Sequence, residues 1–116
     1  MFDDVAFQAI GVSLTGLASR QRVTANNIAN IMTPGFHAGK VGFEKSLQSA
    51  LDSGTSPTQV RATFARSLEP TQLNGNNVNL DEETLSNVDT SLRYQLALRA
   101  MDAKFGLLTD VIKGGG

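Results

Sequence analysis

The sequence predicts a mainly α fold, with long helices at both ends forming a coiled-coil-like axial pair around an irregular middle. Three observations carry this. Apolar residues recur at alternating steps of three and four near both termini. All three prolines (Pro34, Pro57 and Pro70) fall between those stretches, among many Gly, Ser, Thr and Asn residues. The length, 116 residues, suffices for one modest core. The expected organisation is a single domain, with a first axial helix over 1–32, a middle segment over 33–79 and a last axial helix over 80–116.

The first helix is read from Phe7, Ile10, Leu14, Leu17, Gln21, Thr24, Ile28 and Ile31, an a/d seam softened by two polar members. Asp3 or Asp4 serves as N-cap, its charge complementing the positive end of the helix dipole. From residue 4 to 31 such a helix is about 42 Å long at 1.5 Å per residue. That length suits lying along a partner better than a compact globule. Gly11 and Gly16 each cost roughly 1 kcal/mol relative to alanine. With Ala9, Ser13, Thr15, Ala18 and Ser19 they either admit a close neighbouring helix or are tolerated by contacts elsewhere.

The stretch ANNIANIMTPGF (Ala25–Phe36) ends this helix. Thr33 precedes a proline and is pushed out of the α region. Thr33-Pro34-Gly35-Phe36 fits a type II turn, with glycine supplying positive φ at the third place. Asn26, Asn27 and Asn30 occupy the last turns, where carbonyls lack helical partners. Their amides suit a hydrogen-bonded joint, which is favoured over a ligand site.

In the middle, FEKSLQSALDSG (Phe43–Gly54) predicts a short amphipathic helix stopped at Gly54. Val60, Ala62 and Phe64 alternate with polar residues and predict one short strand. Asn74-Gly75 reads as a turn. The last helix opens at Asn79-Leu80-Asp81-Glu82, with Asn79 as cap and Glu82 reaching back, or with Asp81 as cap and Leu80 and Leu85 as a staple. Either version explains Asp81, Glu82 and Glu83 as helix-entry charges rather than a metal or acid–base site.

Beyond the cap run two seams. Tyr94, Leu98, Met101, Phe105, Leu108 and Ile112 form one; Leu85, Val88, Leu92, Leu96, Ala100, Ala103, Leu107 and Val111 form the other. Leu96 and Leu98 lie about 200° apart on the wheel, so the seams occupy nearly opposite faces. One partner helix covers one face only. The middle offers no third long helix, so the second seam calls for another subunit. The assembly residues expected on this basis are Phe7, Ile10, Leu14, Leu17 and Ile28 of the first helix, with Leu92 and Leu96 and the Tyr94–Ile112 line of the last.

Several function classes lose support. Ten basic and eleven acidic residues give a net charge of −1, with the basic ones scattered rather than gathered as a phosphate-binding face. Without cysteine there is neither a disulfide framework nor a thiolate metal site. His37, the single histidine, sits in a glycine-containing stretch and builds no nucleophile–base set. No phosphate-cradling glycine loop appears. The expectation is a non-enzymatic chain without cofactor or metal, and with no nucleic-acid partner. Neither a cleavable signal peptide nor a membrane span is read from the amino terminus.

ANNIANIMTPGF resembles the amino-terminal signature of bacterial flagellar rod and hook-type axial proteins. GNNVNLDEE (Gly75–Glu83), RYQ (Arg93–Gln95) and AKFGLL (Ala103–Leu108) resemble the short rod proteins of that family, as does FHAGKVGFEKSL after the turn. The likeness covers both ends well and the middle poorly, and the family usually has tyrosine and more charge after the turn. It implies a structural subunit of the proximal rod, the periplasm-spanning shaft that carries motor torque and surrounds the export channel. It also implies export as an unfolded thread by the flagellar type III apparatus. The implied partners are further copies, other rod proteins, and at the base the rod-adaptor protein, the export gate and the MS ring. Competing readings are another short axial or adaptor protein and a helical binding module or chaperone. The rod reading predicts terminal helices poorly ordered in the free chain and ordered on assembly.

Overall fold

A computed structural model of the chain describes residues 4–115, apart from the side chains of residues 108–112 and 114–115. Helix α1 runs Val5–Ala29. Asp4 caps it, its carboxylate accepting from Phe7 N–H at 2.8 Å. Asn30 closes it, its N–H reaching back to Asn26 O at 3.1 Å and Asn27 O at 3.2 Å. The helix thus stops two residues before the expected end, because residues 30–33 already belong to the turn that leads into Pro34.

The middle is more ordered than the sequence reading expected. Strand β1 (Gly39–Gly42) pairs antiparallel with strand β2 (Thr63–Arg66), Gly39 opposite Arg66 and Gly42 opposite Thr63. Between them lie α2 (Glu44–Ser53) and a single 3₁₀ turn at Pro57–Gln59. The one strand expected over Val60–Phe64 is therefore shifted, and its mate was missed. GKVG is a poor strand sequence with two glycines, and it pairs because α1 and β2 hold it. Helix α2 ends as expected at Gly54, in the left-handed region at φ 77°. Helix α3 spans Leu80–Gly115.

The helices α1 and α3 lie antiparallel. Phe7 meets Phe105 edge-to-face at 5.2 Å near one end, and Gln21 meets Ser91 further along. The molecule measures 67 × 26 × 14 Å with a radius of gyration of 18.0 Å. A compact chain of this length would give about 13 Å. The buried apolar side chains Leu17, Phe43, Leu47 and Ala50, with Ala38 and Val78, gather where the middle meets α1, not along the helix pair. So α1 does lie along a partner, but the partners are α3 and the chain's own middle segment.

Candidate functional site, the asparagine joint and the outward face of the last helix

Asn27 is 1% exposed and behaves as a piece of backbone. Its Oδ1 accepts from Gly39 N–H at 2.8 Å and its Nδ2 donates to Gly39 O at 2.9 Å. The primary amide thereby exchanges both bonds with one residue, as a neighbouring strand would. The same Nδ2 donates to Glu83 Oε2 at 3.1 Å. One side chain ties α1, β1 and α3 together. A side chain at residue 39 would collide with the Phe64 ring and with Val23 Cγ1, 2.9 Å away, so only glycine brings the strand this close.

The other asparagines divide the remaining work. Asn30 Nδ2 donates to Asn26 O at 2.8 Å, and Thr33 Oγ1 donates to Asn30 Oδ1 at 3.0 Å, locking the helix end. Phe36 N–H returns to Thr33 O at 3.3 Å around Pro34 and Gly35, with Gly35 at φ 74°. Asn76, fully buried, donates through Nδ2 to Asn30 O at 2.9 Å and Thr33 O at 2.8 Å. Asn77 Oδ1 accepts from Ala38 N–H at 2.7 Å, and its Nδ2 donates to Ser67 O and Glu69 O, each at 3.2 Å. Gly35 N–H donates to Asn74 O at 2.9 Å, and a Cβ on Gly75 would sit 3.2 Å from Gly35 Cα. The two turns, TPGF and NG, are packed against each other through glycines.

Arg20 fastens the middle a second time. Its Nε and Nη2 donate to Val41 O at 3.3 and 2.8 Å, while Nη1 and Nη2 grip the Glu44 carboxylate at 2.6 and 2.7 Å. The guanidinium holds the Glu44 carboxyl far below its ordinary range, at about 2, and its own pKa is raised in turn. The Phe43 ring lies against Gly16, where a Cβ would come within 2.6 Å of Cε1 and 2.7 Å of Cγ. The small face of α1 thus admits an aromatic ring at Gly16 rather than a helix. Gly11 has nothing within 4 Å of such a Cβ.

Along the helix pair, Lys104 Nζ pairs with Asp4 Oδ2 at 2.9 Å and so lowers the Asp4 pKa. Of the α1 seam, Leu17 is buried and Phe7, Ile10, Leu14 and Ile28 are half-buried. On α3 the inward line holds Tyr94 and Met101, half-buried, and Phe105 against Phe7. Leu98, from the same seam, is 42% exposed at its margin. The side chains of Leu108 and Ile112 lie outside the described residues. Towards the joint the inward side is polar. Gln21 Nε2 donates to Ser91 Oγ at 3.2 Å; Thr24 and Thr90 are buried, and Glu83 sits beneath Asn27. Leu85, Val88 and Leu92 point away, 71%, 54% and 57% exposed, and Leu96, 66% exposed, stands at the rim of a cleft shared with Leu17, Phe43 and Leu47. At roughly 1.5–3 kcal/mol for complete burial of each side chain of this kind, and with rather more than half of each exposed, that face leaves about 4–7 kcal/mol of burial unrealised.

At the helix entry, Glu82 N–H donates to Asn79 Oδ1 at 3.2 Å, so Asn79 is the cap. Asp81 lies inside the first turn, and Leu80 and Leu85 are exposed rather than stapled. Asn26, Thr33, Pro34 and Gly35 are exposed, while Phe36 stacks under Arg66 at 5.2 Å. Sequence reasoning missed Asn76, Asn77, Arg20 and the burial of Glu83. The repeated NN pairs, at Asn26-Asn27 and Asn76-Asn77, were the available signal. Among the described residues no group of three His, Cys, Asp or Glu side chains is placed to hold a metal ion. Among them, too, no helix is long and apolar enough to cross a membrane.

The family model of the "Flagella basal body rod protein" matches residues 13–37, which take in the second half of α1, the asparagine-rich end and the Pro-Gly turn. Flagellar basal body rod protein FlgB of Escherichia coli K12 is 30% identical over 132 aligned positions, covering 97% of this chain and 96% of that one. The chain belongs to the flagellar basal body rod protein FlgB family. FlgB of Bacillus subtilis 168 is 33% identical over 112 positions, with 83% and 84% of the two chains covered. FlgB of Salmonella typhimurium LT2 is 28% identical over 132 positions, with 97% and 96% covered. The protein is accordingly a structural component of the flagellar basal-body rod and not an enzyme. The chaperone and other-axial-protein readings find no support in these matches.

Proposed function

We propose that this FlgB-family chain builds the proximal rod by seating the outward face of α3 on neighbouring subunits. The observation that carries it is the line Leu85, Val88, Leu92 and Leu96, exposed on a helix whose inward side is partly polar. The neighbours are further copies, other rod proteins, and at the base the rod-adaptor protein, the export gate and the MS ring. The asparagine joint keeps the middle segment at a fixed angle to the axial pair, so torque applied to one is passed to the other. Export through the flagellar type III apparatus as an unfolded thread fits a chain held by many modest hydrogen bonds and no disulfide.

The test replaces Leu92 and Leu96 by glutamine. Each side chain is exposed in the single chain, so the variant should be secreted and fold as before, yet leave cells non-motile and without rods. Basal bodies of normal length and yield from L92Q/L96Q would remove the reading. A second check compares amide exchange of the free chain with that of isolated basal bodies. Helix termini equally protected in both would count against assembly as the step that orders them.

A further inference from the structure

We infer that the polar layer formed by Gln21, Thr24 and Asn27 of α1 with Glu83, Thr90 and Ser91 of α3 sets the rotation of α3 and so keeps its leucine face outward. The functional consequence rests on the assembly role proposed for that face; the rotational claim stands on the contacts alone.

At 100° per residue, Leu92 lies half a turn from Glu83, and about 200° from Thr90. Helix α3 therefore offers α1 two opposite faces. One is polar near the joint and the other carries Leu85, Val88, Leu92 and Leu96. Near the joint, where the first face is polar and the second carries the leucines, apolar burial alone favours the second, yet the first is the one found there. The layer supplies the reason. Two direct bridges, Gln21–Ser91 at 3.2 Å and Asn27–Glu83 at 3.1 Å, bound it. Thr24 at 3% and Thr90 at 0% exposure lie in the same interval. Turning the leucines inward would strand the Gln21 amide and one donor bond of Asn27 against hydrocarbon. Asn27 has no freedom to move aside, because Gly39 holds both ends of its amide. A buried polar group that specifies helix register at some cost in stability is a known device in coiled coils. The cost is visible here, since Thr90 Oγ1 is a buried oxygen without a hydrogen-bond partner.

The chain contains no cysteine or tryptophan and a single tyrosine, Tyr94 on the inward face. Both absences make clean reporters. Leu14 falls midway between Phe7 and Gln21, opposite residues 97–98 by the register of the two pairs above. Full-length L14C/A97C reports the observed rotation by disulfide yield, and L14C/L96C reports the turned one. In the otherwise unchanged chain the first pair should cross-link several-fold faster. Adding Q21L and T24L should reverse that preference and raise iodide quenching of Tyr94 at least twofold. The gentler T24V, which removes one hydroxyl of α1 at constant volume and leaves α3 unchanged, should move both readouts part of the way. Further addition of T90V and S91A to the Q21L/T24L chain should restore the observed rotation, since both facing sides are then apolar. Unchanged cross-link ratios and quenching in both the T24V and Q21L/T24L chains would overturn the inference, as would equal ratios in the parent. If α3 turns but rods still assemble, the rotational claim stands and the assembly role of the leucine face fails. If α3 does not turn, that role is still judged by L92Q/L96Q.

Discussion

Replacing Asn27 by alanine should be one of the most damaging single changes in the protein, and replacing its neighbour Asn26 among the mildest. Asn27→Ala leaves the N–H and C=O of Gly39 without partners in a buried place and removes a donor from the Glu83 carboxylate. Each stranded group costs about 1–3 kcal/mol. Water entering the space left by the amide recovers part of that, so the expected loss is about 3–5 kcal/mol. Asn26 is exposed, and the one bond its side chain makes is from Asn30 Nδ2 at 3.3 Å, while its carbonyl keeps the stronger bonds whatever the side chain. Asn26→Ala should change stability by about 0.5 kcal/mol or less. Asn27→Asp separates hydrogen bonding from packing. It keeps the shape and the acceptor for Gly39 N–H but turns a second carboxylate on Glu83 and on Gly39 O, and should cost as much as alanine at neutral pH. Urea unfolding of the full-length chain followed by circular dichroism measures all three. With a slope of about 1.5 kcal/mol per molar, Asn27→Ala should move the midpoint by about 2–3 M. Midpoints for Asn27→Ala and Asn26→Ala within 0.3 M of each other would refute the claim that one amide joins three elements.

The two internal glycines of α1 should respond with opposite signs. Gly16→Ala drives a Cβ into the Phe43 ring and should destabilise by about 1–3 kcal/mol despite its better helix propensity, with Phe43→Leu relieving most of it in the double variant. Gly11→Ala meets nothing within 4 Å and should stabilise the free chain by up to about 1 kcal/mol in the same melts. The Glu44 carboxyl is held at about 2 by Arg20, below its unfolded value of 4.5. Its contribution is therefore complete above pH 4.5 and fades as pH falls towards 2. The full drop corresponds to about 3 kcal/mol, but the Glu44 side chain is 44% exposed and screening leaves about 1 kcal/mol. Urea midpoints across that pH window should fall more steeply in the parent than in Glu44→Gln.

The periodic parts of the fold were legible because their cause is local. The cap at Asp4, the stop at Asn30, the Gly54 terminator and the entry at Asn79 each depend on residues within one turn, and each is found where the sequence put it or within two residues. The turn at Pro34-Gly35 follows from proline and glycine chemistry alone. The β1–β2 pair was not legible, since GKVG has no strand pattern and becomes a strand only through Asn27, 12 residues earlier, and Arg66, 27 residues later than its Gly39 partner. The burial of Glu83 was hidden for a related reason. A glutamate in the first turn of a helix already has a sufficient local explanation, and nothing nearby in sequence announces that Asn27 and Lys40 will meet it.

The distribution of attachments explains why this arrangement suits a shaft. The middle segment is fixed almost wholly to α1, through Asn27 on Gly39, Arg20 on Val41 and Glu44, and Phe43 over Gly16. Direct ion pairs from β1 to α3 are the weak ones, Lys40 to Glu83 at 3.8 Å and to Glu82 at 4.0 Å. Helix α1 is therefore the spine that both the middle and α3 share, and its glycine, asparagine and arginine positions are spent on those internal joints. Helix α3, by contrast, is held on one side and leaves Leu85, Val88 and Leu92 exposed on the other. On the proposed assembly role of the α3 face, the internal joints and the contacts to neighbours then rest largely on different helices. A change that strengthens the interior then need not weaken the assembly, provided it leaves the rotation of α3 alone.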